Sequence, residues 1–96
     1  MPSTTISISR FYYVYVLESL KDKKRYVGYT TNLPERIKAH KKGLSFATKF
    51  RLPIKLIYFE GCTNIRDAKR REKYFKKSGG RKFLSKRLIE YYQSKL

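Results

Sequence analysis

Three short stretches of this chain are rich in β-branched and aromatic residues, a pattern that is typical of β-strands. They are YVYVL at 13–17, RYVGY at 25–29 and IKLIYF at 54–59. Only the polar run ESLKDKK, residues 18–24, separates the first two stretches, so we expect an antiparallel hairpin closed by a turn. The first stretch is the most apolar, which predicts a central strand.

Helical spacing and helix-end signals mark three further segments. The first begins near Asn32, which offers a capping side chain, and ends at Gly43. The second runs over 64–77 after a threonine or asparagine cap, and the third covers 81–96 after a break at Gly79-Gly80. The resulting order, ββαβαα, predicts an α+β fold in which helices flank a three-stranded antiparallel sheet.

The chain has the length of one domain. Its 96 residues suffice for a single modest core. Residues 1–10 are small and hydroxyl-rich, and we expect a flexible N-terminal tail there, with residues 11–96 forming the domain.

Alternation along the first strand assigns its residues to two faces. Tyr12, Val14 and Val16 share the face that we expect to join the core. The opposite face carries Tyr13, Tyr15 and Leu17, and its tyrosines predict a working surface.

Charge is the strongest signal in the composition. Lys and Arg number 24 against seven acidic residues, for a net charge of +17. A field of this size attracts polyanions, so a nuclease, a DNA-binding module, a ribosomal protein and a membrane-surface protein all fit the charge alone. The basic residues are spread over the whole chain, and 16% of the residues are aromatic, which favours a folded domain with a broad nucleic-acid footprint over a disordered basic arm.

Cysteine content and hydropathy limit the kinds of site and the cellular compartment that we expect. A single cysteine, Cys62, leaves no partner for an intramolecular disulfide and no multi-cysteine zinc site, and we expect it to be half-buried. The chain has neither an apolar run of membrane-spanning length nor a secretory signal pattern. We therefore expect a cytoplasmic protein without a membrane partner.

A set of motifs then resembles the GIY-YIG nuclease domain. Tyr13-Val14-Tyr15 is followed by Tyr26-Val27-Gly28, by Arg36 and His40 four residues apart, and by Glu72 on a later helix. Either tyrosine motif alone is weak, but the ordered set is specific. More narrowly, the chain is similar to the small stand-alone members of that superfamily, which are related to the nuclease module of the UvrC repair endonuclease.

This resemblance implies hydrolysis of phosphodiester bonds with one divalent metal ion. Tyr15 and Tyr26 match the tyrosines of the two motifs, Arg36 the helix arginine, His40 the histidine one turn later, and Glu72 the metal-binding glutamate. The first motif reads Tyr-Val-Tyr in place of Gly-Ile-Tyr. In many members an asparagine follows the glutamate, and no asparagine follows Glu72 here.

Phosphodiester hydrolysis by itself requires the same kinds of chemical group. Hydrolysis needs a water that loses a proton, positive charge on the phosphate and an ion that neutralises growing negative charge. Arg36 is a permanently charged fork, and Glu72 suits Mg²⁺ or Mn²⁺, which keep several waters. We expect Tyr15 to be the base, shifted towards phenolate by a metal ion, Arg36 and Tyr26, with Tyr26 in support; the reverse assignment stays open. His40 is a second candidate for proton transfer.

Each of these residues also has a simpler interpretation. Tyrosines in a sheet mostly pack against their cross-strand neighbours, and an isolated acid such as Glu72 in a basic helix mostly forms ion pairs. Core packing is likewise the expected role for most of the aromatic residues that base stacking would otherwise use, namely Phe46, Phe50, Tyr91 and Tyr92. The predicted backbone-phosphate contacts are Lys41, Lys42, Lys49, Arg51, Lys69, Arg70 and Arg71.

The leading hypothesis is therefore a metal-dependent endonuclease that acts on DNA, with structured or damaged DNA suggested by the repair-related resemblance. A non-catalytic nucleic-acid-binding module that keeps the nuclease fold is the alternative, and an RNA-binding or ribosome-associated protein is a third. A domain this small has little room for specificity, so a protein partner could supply it. The sequence leaves the oligomeric state open.

Overall fold

The computed structural model describes residues 10–95, and within that range the chain forms three strands and four helices. The elements are β1 (Tyr12–Ser19), β2 (Arg25–Thr30), α1 (Leu33–Lys41), β3 (Ile54–Cys62), α2 (Ile65–Phe75), α3 (Ser78–Arg87) and α4 (Ile89–Gln93). The α+β prediction of a three-stranded antiparallel sheet flanked by helices is confirmed. Of the expected N-terminal tail, residues 1–9 lie outside the described part of the chain.

Strand β1 is the centre of the sheet, as predicted. The strand order is β2-β1-β3, and both pairings are antiparallel. In this register Tyr15 lies opposite Gly28 on β2 and opposite Phe59 on β3. Residues 14–19 of β1 are all buried, because neighbouring strands cover both edges of β1 and helices or loops cover both faces.

Both faces of the sheet are packed. One face, with Val14 and Val16, is covered by α2 and α3 through Ala68, Phe75 and Leu84. The other face joins a second apolar cluster, whose buried members are Tyr15, Leu17, Leu33 and Ile54. The working surface predicted for this second face is enclosed, since α1 and the segment after it cover Tyr15 and Leu17 completely.

Glu18 departs from the expected turn. It belongs to β1 and is 1% exposed. Two groups from the C-terminal end of the chain stabilise its carboxylate, the Tyr91 hydroxyl at 2.6 Å and Lys95 Nζ at 2.7 Å. Burial raises the pKa of Glu18, but these two hydrogen bonds outweigh burial and hold the pKa below its ordinary value. The contact ties α4 and the residues after it to the central strand.

The helix ends follow the predicted signals in the first two helices. Asn32 Oδ1 accepts a hydrogen bond from the backbone N–H of Glu35 at 3.3 Å, and Asn64 Oδ1 accepts one from Arg66 at 2.8 Å. Gly43, which follows α1, has a φ of +76°. A left-handed residue at this position is a common way to end a helix.

The last two helices differ from the prediction. Gly79 and Gly80 lie in the first turn of α3, and the break falls before them, at residues 76–77. A Cβ on Gly80 would collide with the backbone carbonyl of Tyr74, so glycine lets α3 start close against the end of α2. The expected helix over 81–96 is also divided at Leu88 into α3 and α4, and residue 96 lies outside the described range.

Candidate active site

The candidate site is built around the hydroxyl of Tyr15, in the middle of the central strand. The Tyr15 ring lies over Gly28, its cross-strand partner, where a Cβ would collide with the hydroxyl oxygen. A glycine in a strand leaves room for a close approach to the backbone, and here the approaching group is the phenol of Tyr15.

Two side chains of α1 meet this hydroxyl. Arg36 Nε donates a hydrogen bond to Tyr15 Oη over 3.2 Å, and His40 Nε2 lies 2.9 Å from the same oxygen. Arg36 and His40 are four residues apart, so one helix face carries both towards β1. The structure thus brings together three of the residues singled out in the sequence.

His40 is fully buried and has a second partner. Its Nδ1 lies 2.7 Å from Oγ1 of Thr48, which is 1% exposed. Burial, and then the positive charge of Arg36, lower the pKa of His40 from 6.5 to about 4. The imidazole is therefore neutral at physiological pH, with one ring nitrogen donating and the other accepting.

Which group donates in the Tyr15–His40 and His40–Thr48 hydrogen bonds depends on whether Tyr15 is protonated. Burial raises the pKa of Tyr15 above its ordinary value, and the charges of Tyr26 and Glu72 raise it further, against the lowering effect of Arg36. Among the protein groups alone, desolvation outweighs Arg36, so they keep Tyr15 protonated; the expected shift towards phenolate also counted a metal ion beside the phenol and stays a prediction. A protonated Tyr15 donates to His40 Nε2, and His40 Nδ1–H then donates to Thr48. We call Arg36–Tyr15–His40–Thr48 the hydrogen-bonded chain.

Thr48 was not among the residues singled out in the sequence. It lies in the segment 44–52, where the charged Lys49 and Arg51 drew attention instead. Thr48 is eight residues from His40 and lies outside α1, so helix or strand periodicity does not predict that the two side chains meet. The available signal was indirect, since a buried histidine needs partners for both ring nitrogens.

Tyr26 lies beside the hydrogen-bonded chain. Its ring centroid is 5.3 Å from that of His40 and 6.4 Å from that of Tyr15. The pKa of Arg36 is raised first by the hydrogen bond to Tyr15, and the Tyr26 phenol also raises it. Tyr26 is half-buried, so part of its side chain remains accessible to solvent.

Glu72 approaches from α2. Its side chain is 17% exposed and forms ion pairs with Lys69 at 3.9 Å and with Lys76 at 3.1 Å. The carboxylate is close enough to Tyr15 for its negative charge to raise the pKa of that phenol. Glu72 thus forms the ion pairs expected of an isolated acid in a basic helix, and its charge also acts on Tyr15.

Comparison with known proteins gives the family. A family model described as the GIY-YIG catalytic domain matches residues 11–88. The chain belongs to the GIY-YIG family.

Several curated proteins called UPF0213 are similar to this GIY-YIG chain. One from Clostridium perfringens is 50% identical over 66 residues, which cover 68% of this chain and 70% of that protein. Others are 46% identical over 68 residues, in Bacillus licheniformis (69% and 68% covered), and 44% identical over 79 residues, in Pediococcus pentosaceus (78% and 82% covered). No solved structure matches the chain significantly.

The GIY-YIG pattern has a physical reason in this domain. The hairpin register pairs Tyr15 of the first motif with Gly28 of the second and Leu17 with Tyr26. Tyr15 and Tyr26 therefore lie on one face of the sheet, and the glycine that ends the second motif leaves the space that the Tyr15 ring fills.

The GIY-YIG site offers few side chains that could bind a divalent metal ion. Within residues 10–95 no group of three or more His, Cys, Asp or Glu residues is arranged to hold a metal. Mg²⁺ is commonly bound by one or two carboxylates, with waters and substrate phosphates completing its shell. The half-buried carboxylate of Glu72, whose charge reaches Tyr15, fits that single-carboxylate mode.

The predicted phosphate contacts fall into two groups. Lys41, Lys42, Lys49, Lys69 and Arg70 are exposed. Arg51 and Arg71 are already engaged, since Arg51 Nε is 3.3 Å from Asp22 and Arg71 binds both carboxylate oxygens of Glu60 at 2.6 and 3.0 Å. The exposed Arg70 and Lys69 also pair with carboxylates, Asp67 at 2.6 Å and Glu72 at 3.9 Å, so these ion pairs leave all seven phosphate contacts as predictions.

The four aromatic residues expected mostly to pack in the core also divide. Phe46 and Phe50 are 80% and 72% exposed, so core packing is wrong for both. Tyr91 and Tyr92 are half-buried. Cys62 on β3 is also half-buried, as predicted.

None of the helices between residues 10 and 95 combines the length and apolar character that crossing a membrane needs.

Proposed function

We propose that this GIY-YIG domain is an endonuclease that hydrolyses DNA phosphodiester bonds with the help of a divalent metal ion. The observation that carries the proposal is the convergence of Arg36 and His40 on the Tyr15 hydroxyl, within reach of the charge of Glu72. A net charge of +17 supports a polyanionic substrate.

Tyr15 is the proposed base. Tyr15 is fully buried in the free protein, so a shift of Arg36 on binding the phosphate would first have to admit the attacking water. The Tyr15 oxygen then takes a proton from that water while its own proton passes to Nε2 of His40, 2.9 Å away. A His40 pKa of about 4 makes the imidazole a weak acceptor in the free protein. A phosphate bound to Arg36 offsets the positive charge that helps to lower this pKa, so substrate binding itself prepares the acceptor.

Arg36 and Glu72 complete the proposed site. The bond to Tyr15 uses Nε of Arg36 and not its terminal amino groups, which are the donors that suit a phosphate. Glu72 would hold Mg²⁺ or Mn²⁺, and such an ion neutralises the negative charge that grows on the phosphate. Lys69 and Lys76, which pair with Glu72 in the free protein, would then turn to the DNA backbone.

Metal-dependent nicking of supercoiled plasmid and cleavage of branched oligonucleotides test the proposal. We expect Glu72→Gln and Arg36→Ala to reduce cleavage about 100-fold or more. Asp67→Asn makes the same charge change as Glu72→Gln on α2, and Lys38→Ala removes an exposed cation of α1; both controls should cleave normally. Equal residual cleavage in all variants would point to a contaminating nuclease and contradict the proposal.

A binding module without catalysis is the second candidate. The two ion pairs of Glu72 favour it, because they neutralise the carboxylate without any metal ion. On this alternative, DNA binding is salt-sensitive and unchanged in Glu72→Gln, and no divalent ion produces cleavage. The same variants therefore separate the two candidates.

A further inference from the structure

The segment between α1 and β3 has a buried side and an exposed apolar side. Ser45 and Thr48 are 7% and 1% exposed, whereas Leu44, Phe46 and Phe50 are 73%, 80% and 72% exposed. Exposed aromatic rings in such a small domain mark a contact surface, because leaving them in water is unfavourable.

A cation lies between the two exposed rings. Lys49 Nζ is 4.7 Å from the centroid of Phe46 and 4.9 Å from that of Phe50. Two aromatic faces beside an ammonium group match the two parts of a nucleotide, since bases stack on rings and phosphates pair with cations. We call Phe46, Lys49 and Phe50 the aromatic platform.

The backbone under the platform is held in place from the β1–β2 turn. Ser19 Oγ donates to the carbonyl of Arg51 at 2.7 Å, and Lys21 Nζ donates to the carbonyl of Phe50 at 3.4 Å. An ion pair between Arg51 and Asp22 adds a third tie. Such pre-organisation lowers the ordering cost of binding.

The platform adjoins the candidate active site. Thr48, the last member of the hydrogen-bonded chain, immediately precedes Lys49 and bonds to His40 at 2.7 Å. Thr48 lies on the buried side of this short segment and the rings lie on its exposed side.

We propose that the aromatic platform stacks unpaired nucleotides of single-stranded DNA, so that the domain selects single strands and the unpaired parts of junctions. Faces of paired bases are already stacked within a duplex and out of reach of the rings, so duplex DNA gains nothing from the platform. Lys41 and Lys42 are exposed and precede the platform by a few residues in the chain, and this positive charge favours a polyanionic occupant over an apolar protein surface. This inference rests on the proposed function only in taking DNA as the ligand; it does not require that the domain cleaves DNA.

Binding measured without divalent ions separates this inference from catalysis. Anisotropy of labelled single-stranded, duplex and single-strand-overhang DNA would be recorded at one salt concentration for wild type and for the Phe46→Ala, Phe50→Ala double variant. We expect single-strand affinity to fall about tenfold or more for the pair, and duplex affinity to change less than about twofold. Ile89→Ala, which truncates a 49% exposed apolar residue on α4, is the control and should bind normally.

A stacking-sensitive base and a salt series sharpen the test. The fluorescence of 2-aminopurine in the single strand should be quenched by wild type and not by the double variant. Lys49→Ala should lower the slope of log affinity against log salt by about one, and the double variant should leave the slope unchanged.

Two results would overturn the inference. One is wild-type affinity of the double variant for single strands, or an equal loss for single-stranded and duplex DNA. The other is a wild-type dimer in solution that becomes a monomer in the double variant, which would assign the rings to self-association. Neither result depends on whether the domain cleaves DNA.

Discussion

The phenol of Tyr15 occupies the space that a side chain on Gly28 would fill, across the hairpin from it. This contact places the Tyr15 hydroxyl where Arg36 and His40 of α1 both reach it. The glycine of the second motif therefore serves the tyrosine of the first. Four substitutions or titrations test the arrangement.

Gly28→Ala should disrupt the site. The added Cβ collides with the Tyr15 hydroxyl, so the ring or the strand must move, at a cost of about 1–3 kcal/mol in the free energy of unfolding. Urea denaturation measures this loss. Gly79→Ala is the control, because its Cβ would meet Tyr74 at an ordinary 3.7 Å, and its stability should be equal or higher. An unchanged Gly28→Ala protein would show that the close contact is not required.

Tyr15→Phe removes only the hydroxyl. It leaves Arg36 without an acceptor and His40 Nε2 buried without a donor, so we expect a loss of about 1–3 kcal/mol in stability. If Tyr15 is the base, cleavage should also disappear while DNA binding persists. Tyr13→Phe, in the same motif, should retain both stability and cleavage. Normal cleavage by Tyr15→Phe would transfer the role of base to another group, with Tyr26 the first candidate.

Thr48→Val keeps the size of the side chain but removes the acceptor for His40 Nδ1–H. We expect a stability loss of about 1–3 kcal/mol and a change in the tautomer of His40, visible in its ring ¹⁵N chemical shifts. Cleavage should slow with little change in KM, since Thr48 positions His40 and does not contact substrate. Thr48→Ser restores a hydroxyl and should restore the tautomer; failure to do so would argue against the assigned hydrogen bond.

His40 should titrate far below an ordinary histidine. Its pKa is lowered to about 4 in the folded protein, against 6.5 for an unperturbed ring. As pH falls through this interval the unfolded chain binds the proton first, so the stabilisation is complete above pH 6.5 and is lost towards pH 4. The gap corresponds to about 3 kcal/mol.

Nuclear magnetic resonance can follow this titration without ambiguity, because His40 is the only histidine of the chain. Unfolding free energies between pH 7 and pH 4 give the second measurement, with His40→Asn as the variant that should lack this part of the pH dependence. A midpoint near 6.5 for the His40 ring would show that the imidazole is accessible to water and not enclosed by α1 and Thr48.

The hairpin and its motifs could be predicted because they depend on neighbours in sequence. The positions of Tyr15 and Gly28 follow from strand alternation and a short turn, and those of Arg36 and His40 from helical spacing. Glu18 and Gly80 escaped prediction for the opposite reason. Glu18 is buried only because Tyr91 and Lys95 return to it from the end of the chain, and Gly80 is required only because Tyr74 lies against it.

The sequence by itself determined the α+β fold, the central strand and the set Tyr15, Arg36 and His40 that the structure brings together, since local propensity, periodicity and motif spacing carry that information. The tertiary structure alone decided that Tyr15 is buried and protonated, that Thr48 holds His40, and that Phe46 and Phe50 remain outside. Desolvation and long-range hydrogen bonds depend on how distant segments pack, and a one-dimensional pattern does not contain those distances.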